Sequence, residues 1–192
     1  SSLSITPTTW VGDYVPVAKE YNVSSVFGSK HLSMHLPGLE GYNVRWELFI
    51  KKEELTIDKK FYLSSNSPIP DIDYSENLVL GDSKIPMFNS QFHITIENTN
   101  KIRNAFSEKI IDCFQTRTIP IYYGPENIGD FFNMEGLFYA RNASEIIEIC
   151  NSLTPDTYAS KMDAIEDNYQ RSMNYSSFND SMIRNVKKAL SK

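Results

Sequence analysis

Cysteine and histidine are scarce in this chain: two of the first, Cys113 and Cys150, and three of the second. Two thiols in apolar, helical-looking surroundings make neither a disulfide framework nor a metal knuckle, and they fit a reducing, cytoplasmic setting. No run approaches the roughly 20 apolar residues of a membrane helix, and the N-terminal SSLSITPTTW lacks the basic and apolar regions of a secretory leader. Positive charge is not in excess either. With 19 basic against 24 acidic residues the formal charge is −5, which argues against coating nucleic acid but leaves room for a local basic pocket around a phosphorylated ligand. Internal repeats and low-complexity blocks are missing as well.

What is present suits a globular fold. Of the 192 residues, 41% are hydrophobic and 22% charged, and 11 Tyr with 11 Phe can fill a sizeable core. The length fits one domain, residues 1–192, with an opening segment 1–22 and C-terminal helices over 155–192. Four N-glycosylation sequons, at Asn22, Asn142, Asn174 and Asn179, carry little weight in a chain rich in Asn and Ser.

The opening segment is punctuated by Pro7, Gly12 and Pro16 and reads as loop. Val23 to Phe27 reads as a strand closed by Gly28 and Ser29, and Lys60 to Leu63 as a second. Between them Tyr42 to Glu54 has helical spacing. The polar stretch Ser64 to Ser90 predicts a long irregular excursion. Phe92 to Ile96 and Thr118 to Tyr123 are apolar strands, and a helix beginning at Ser107 separates them. A helical turn is expected over Asn127 to Phe132, a last strand over Leu137 to Tyr139, and helices over Ala143 to Ser152, Pro155 to Asn168 and Asp180 to Leu190. Short apolar strands alternating with helices imply an α/β fold with a Rossmann-like, mostly parallel sheet covered on both faces. Ligands of such sheets sit beyond the carboxyl ends of the strands. Those ends are Ser29–Lys30, Glu97–Asn98 and Tyr123–Gly124.

One block concentrates the chemistry: FHITIENTNKIRNAFSEKIIDCFQTRTIPIYYGPENIGDFF, residues 92–132. Glu97 and Asn98 stand at a strand end, a loop with Lys101 and Arg103 follows, and Ser107, Glu108 and Lys109 open a helix with Ser107 as its cap. Free amide hydrogens beside a cation suit a pyrophosphate, and Glu108 suits a sugar or ribose hydroxyl. The same three residues also read as plain helix capping, and the local pattern does not choose between the two.

This block resembles the C-terminal region of the α1,3/4-fucosyltransferases, the family-ten glycosyltransferases. The resemblance lies in Ile96-Glu97-Asn98-Thr99, in Ser107-Glu108-Lys109 with its following apolar helix, and in Thr118-Ile119-Pro120-Ile121-Tyr122-Tyr123-Gly124. It extends weakly to Thr8-Thr9-Trp10, to Val23–Lys30, to Gly41 and Arg45, and downstream to about Tyr139. Ala105 stands where the family usually has an aromatic, and Tyr42 where it often has histidine. The resemblance implies the C-terminal, donor-binding half of a GT-B glycosyltransferase that transfers fucose, or another sugar, from a GDP-sugar to a glycan hydroxyl. Transfer would be inverting and would need neither metal nor cofactor. Arg45 and Lys109 would neutralise the pyrophosphate and Glu108 would bind donor hydroxyls. Glu97, Asn98, Ser107, Lys30, Tyr123 and Gly124 would complete the site. The resemblance also implies an acceptor domain with the general base before residue 1, so no catalytic residue is nominated here. A eukaryotic secretory source would shift the setting to the Golgi lumen. Two readings compete: a non-catalytic nucleotide-sugar module or degenerate subunit, and an α/β scaffold whose helix is merely capped.

Other signals are weaker. Asp71-Ile72-Asp73 matches a metal–nucleotide motif, but it lies between prolines and polar residues rather than after an apolar strand. His31 and His35 are four apart, yet Pro37 breaks any helix that would align them. Gly124-Pro125-Glu126-Asn127 lacks the lysine of a phosphate loop.

Overall fold

The computed structural model describes residues 9–12, 14–29 and 38–177, with 179, 182, 183, 186, 187 and 190 beyond them. The strands are β1 (Glu20–Phe27), β2 (Lys59–Ser64), β3 (Leu78–Leu80), β4 (Ser90–Ile96), β5 (Ile119–Tyr123) and β6 (Phe138–Tyr139). The α-helices are α1 (Glu40–Ile50), α2 (Glu108–Gln115), α3 (Ala143–Ser152), α4 (Pro155–Ala159) and α5 (Met162–Ser172). The strands form one six-stranded sheet in the order β3-β2-β1-β4-β5-β6, and every neighbouring pair is parallel. This is the doubly wound Rossmann-like order, which reverses direction between β1 and β4.

Burial on both faces explains the apolar strands. On one face Phe92, Ile94 and Ile96 of β4 with Ile119, Ile121 and Tyr123 of β5 meet Val44 and Leu48 of α1 and Ala143, Ile146 and Ile147 of α3. Alternate residues point to the other face. There Tyr122 joins Ile110, Ile111 and Phe114 of α2 and the ring cluster Phe106, Phe131, Phe132 and Tyr175. Thr95 of β4 meets Cys113 of α2 with Oγ1 and Sγ 3.2 Å apart. Burial raises both thiols to about 12, so neither is a reactive thiolate.

The boundaries differ from expectation in physically understandable ways. β1 begins at Glu20, inside the segment read as loop. The helix expected to Glu54 ends at Ile50 and continues only as a 3₁₀ turn, Lys52–Glu54. The excursion 64–90 contains the edge strand β3, whose Leu78 and Val79 are exposed. Three residues with one buried side chain give no readable alternation. Two 3₁₀ turns, Tyr74–Glu76 and Ile85–Asn89, flank it. The turn expected over 127–132 is 3₁₀, Glu126–Asp130, and the stretch 155–168 is two helices that break at Ser160–Lys161. Lys30, His31 and His35, and most of the helix expected over 180–190, lie outside the described residues.

Candidate functional site

Gly41 starts the site. A Cβ there would stand 1.8 Å from the Glu97 carbonyl oxygen, so only glycine lets α1 rest directly on the end of β4. Its N–H donates to the Asn98 carbonyl at 3.0 Å. One helical turn on, Arg45 is carried over the same strand end and is only 8% exposed. Its guanidinium donates to the Ile96 carbonyl and, at 3.2 Å, to Asn98 Oδ1. Burial lowers its pKa while Glu97 and Tyr42 oppose the change, and the Tyr42 ring lies 5.2 Å from the guanidinium carbon. A solvated arginine, the ordinary expectation for a lone one on a surface helix, is not what forms.

The second wall is α2. Ser107 caps it, accepting the Lys109 N–H at 3.3 Å. Glu108 does not close a capping box, because it occupies the first helical position and the third is Ile110. Glu97 instead reaches from β4 and accepts the Ser107 N–H at 2.8 Å and its hydroxyl at 2.7 Å. Lys109 Nζ donates to Glu97 Oε2 at 3.3 Å and to Ser107 Oγ at 3.0 Å. Glu97 therefore ties α2 to the sheet from behind the cleft wall, buried rather than facing a ligand.

Lys84, which the sequence did not single out, completes the wall. It lies 3.3 Å from Asp112 and 3.6 Å from Glu108. Burial opposes ionisation of Glu108, but Lys109 and Lys84 outweigh it and hold the carboxyl below its ordinary range. Burial raises Asp112 despite Lys84 and the Trp10 N–H. Asp112 also accepts the Thr9 hydroxyl at 2.9 Å and the Trp10 N–H at 2.8 Å, which pins the opening segment to α2. No motif marks Lys84; only the topology brings it beside α2.

Together these residues line a cleft of about 450 Å³ at the switch between β1 and β4. Arg45, Asn98, Glu108 and Lys109 line it, as expected, and so do Lys84, Asp112 and His93. Ser107 and Glu97 support the wall. Tyr123 is packed in the core, where its carbonyl accepts the Glu97 N–H at 2.8 Å. Gly124 sits against Tyr122, whose ring a Cβ would strike. The structure therefore does not bring Tyr123 and Gly124 to this cleft, and Lys30 falls outside the described residues. Lys101 and Arg103 are exposed, with Arg103 paired to Asp130 at 3.4 Å. Asp73 is used locally, accepting the Ser75 N–H at 2.8 Å and hydroxyl at 2.7 Å. Among the described residues no group of three or more His, Cys, Asp or Glu side chains could hold a metal ion, and no helix is long and apolar enough to cross a membrane.

No family model and no curated protein sequence matches the chain. Solved structures do. An α1,3-fucosyltransferase is 18% identical with a TM-score of 0.55, over 91% of this chain and 47% of that one. The α1,3-fucosyltransferase with GDP-fucose is 19% identical at 0.53, over 91% and 48%. The T4 phage BGT in complex with UDP and Mn²⁺ is 9% identical at 0.54, over 93% and 50%. The chain thus has the fold found in glycosyltransferases and spans about half the length of these structures.

Proposed function

We propose that this chain is the donor-binding half of a nucleotide-sugar-dependent glycosyltransferase, that the donor is a GDP-sugar with fucose as its sugar, and that transfer to a glycan hydroxyl is inverting and needs no metal. One observation carries the reading: Arg45, Lys84 and Lys109 converge on a cleft at the sheet's switch point, beside the amino end of α2. In an inverting transfer the acceptor oxygen bonds to the anomeric carbon while the bond from that carbon to the diphosphate oxygen breaks, and the electron pair leaves with the diphosphate. Fixed cations in a partly enclosed cleft stabilise that developing charge. Glu108 is positioned for donor hydroxyls. The structures bound to GDP-fucose and to UDP support a nucleotide-sugar ligand, and the sequence motifs favour the guanine nucleotide.

The base that takes the acceptor proton is not drawn from Asp112, which is buried and engaged by Lys84, Thr9 and Trp10, or from Glu108, which is paired with Lys84 in the free protein and given to donor hydroxyls in the proposed complex. We infer that a carboxylate outside this unit supplies it. That engagement also favours the second reading, a module that binds a nucleotide sugar without turning it over. Calorimetry with GDP, UDP and ADP tests the donor: GDP should bind most tightly, and equal or tighter binding of UDP would replace the guanine reading with a UDP-sugar one. Steady release of GDP from GDP-fucose by the full-length protein with glycan acceptors, against none, separates transferase from module.

A further inference from the structure

The floor of the cleft holds a group that the diphosphate reading leaves unused. His93 lies in β4 in register with Ser24 of β1, lines the cleft and is 6% exposed. Its Nδ1 is 2.8 Å from Ser24 Oγ, and the same Oγ is 2.7 Å from the Met87 carbonyl oxygen. A serine hydroxyl has one proton. Aimed at the imidazole, it would leave two oxygen lone pairs facing each other at the Met87 contact. Donated to Met87, it makes both contacts hydrogen bonds, provided Nδ1 carries the imidazole proton. The network therefore assigns the Nδ1–H tautomer. Nε2 becomes a bare acceptor, and it has no hydrogen-bond partner among the described residues.

The surroundings keep it so. Burial, with the Lys84 cation adding to it, pushes the imidazole down to about 3, so the ring stays neutral across ordinary pH. Phe88 packs on it with ring centroids 5.1 Å apart, and Val26 and Met87 line the cleft beside it. An acceptor framed by apolar side chains discriminates strongly, because a ligand that offers it no donor leaves it desolvated and unpaired.

We propose that His93 Nε2, held as an acceptor by the Ser24–Met87 relay, is a specificity determinant at the floor of the cleft that takes one neutral N–H or O–H donor of the bound nucleotide sugar. This rests on the nucleotide-sugar reading and deepens it. The donor is either an amino or ring N–H of the base or a hydroxyl of the sugar, and the ligands tested narrow the choice. The experiment combines ¹⁵N-histidine NMR of the wild type with calorimetry of wild type, His93→Leu and Ser24→Ala, using GDP, IDP and GDP-fucose. The free protein should show Nε2 unprotonated and Nδ1 protonated, and saturating ligand should move the Nε2 resonance in the direction of an accepted hydrogen bond. His93→Leu should bind about three- to tenfold more weakly, the range of a single neutral hydrogen bond. Ser24→Ala should do likewise while freeing the tautomer, a change that simple loss of packing would not produce. A penalty already present with GDP and absent with IDP assigns the 2-amino group, one shared by both assigns the ring N–H or a ribose hydroxyl common to them, and one seen only with GDP-fucose assigns a hydroxyl of the fucose. An Nε2–H tautomer in the free protein overturns the proposal, as does an unmoved Nε2 resonance in a protein saturated with all three ligands. In the latter case GDP binding itself survives, and the nucleotide-sugar reading with it. Failure of GDP, UDP and ADP alike to bind the wild type overturns both.

Discussion

Replacing Lys109 with methionine removes the cation while keeping an unbranched side chain, and two separable effects follow. In the free protein the ammonium bonds Glu97 Oε2 at 3.3 Å and Ser107 Oγ at 3.0 Å. Its side chain is 31% exposed and that of Glu97 5%, so the variant leaves a buried carboxylate with the Ser107 N–H and hydroxyl still in place. A partly exposed pair contributes about 1 kcal/mol, equivalent to a fall in Tm of roughly 2–4 °C for a chain of this size. In the proposed GDP complex the same ammonium would donate a charge-assisted hydrogen bond to phosphate, typically about 1.5–3 kcal/mol, so roughly a ten- to hundredfold loss of GDP affinity is expected.

The assay is calorimetry of guanosine, GMP and GDP against wild type, Lys109→Met and Glu108→Gln, with a melting curve for each free protein. Lys109→Met should weaken the phosphorylated ligands and spare guanosine. Glu108→Gln should weaken all three if its carboxylate holds the ribose. Unchanged GDP affinity in Lys109→Met would show that the helix opening is a structural clamp only, and an equal loss for guanosine would show that the variant had deformed the cleft.

Four further outcomes are expected. Gly41→Ala drives a Cβ into the Glu97 carbonyl and should cost about 3 kcal/mol while weakening GDP through displacement of Arg45; a melting curve like the wild type's would contradict the close approach. Lys19 is half-buried against the Phe88 carbonyl and Thr118, and desolvation lowers it to about 7. The unfolded chain therefore binds the extra proton between pH 7 and 10.5, stability should rise with pH across that window, and Lys19→Met should abolish the rise. His93 behaves alike in acid: its folded value of about 3 lies below the unfolded 6.5, so stability should fall as pH drops through that interval, by up to about 1.4 kcal/mol per unit, and His93→Leu should flatten that part of the urea-melt profile. EDTA should leave GDP affinity unchanged, whereas a strong Mn²⁺ requirement lost in Asp71→Ala with Asp73→Ala would move the phosphate site to that loop.

The elements that could be read from the sequence are those whose pattern follows from burial. Phe92 to Ile96 and Ile119 to Tyr123 are apolar because both sheet faces are covered, and α2 announces itself through Ser107 and the spacing of Ile110, Ile111 and Phe114. β3 could not be read, because its Leu78 and Val79 face solvent at the sheet edge. In the site, Arg45, Asn98, Glu108 and Lys109 were reachable because strand ends and a helix start mark them. Lys84, Asp112 and His93 were not, because each owes its position to an element distant in sequence: Lys84 to α2, Asp112 to Thr9 and Trp10, His93 to Ser24. Tyr123 and Gly124 end a strand as expected, yet β5 ends one strand away from the switch point.

The charges of the cleft explain why these particular neighbours matter to a ligand. Arg45, Lys84 and Lys109 face Glu97, Glu108 and Asp112, three cations against three carboxylates, with the lysines already paired. A diphosphate entering this arrangement must compete for cations that are spoken for. Glu97 can stay where it is, because the Ser107 N–H and hydroxyl satisfy it without the lysine. Asp112 can stay as well, held by Thr9 and Trp10. Among the described residues Glu108 forms ion pairs with Lys84 and Lys109 alone, so in the proposed complex it is the one that a diphosphate would displace. Displaced in that way, it would be free to accept from the hydroxyls of the same ligand, and the proposed phosphate binding and sugar recognition would be tied in a single exchange of partners.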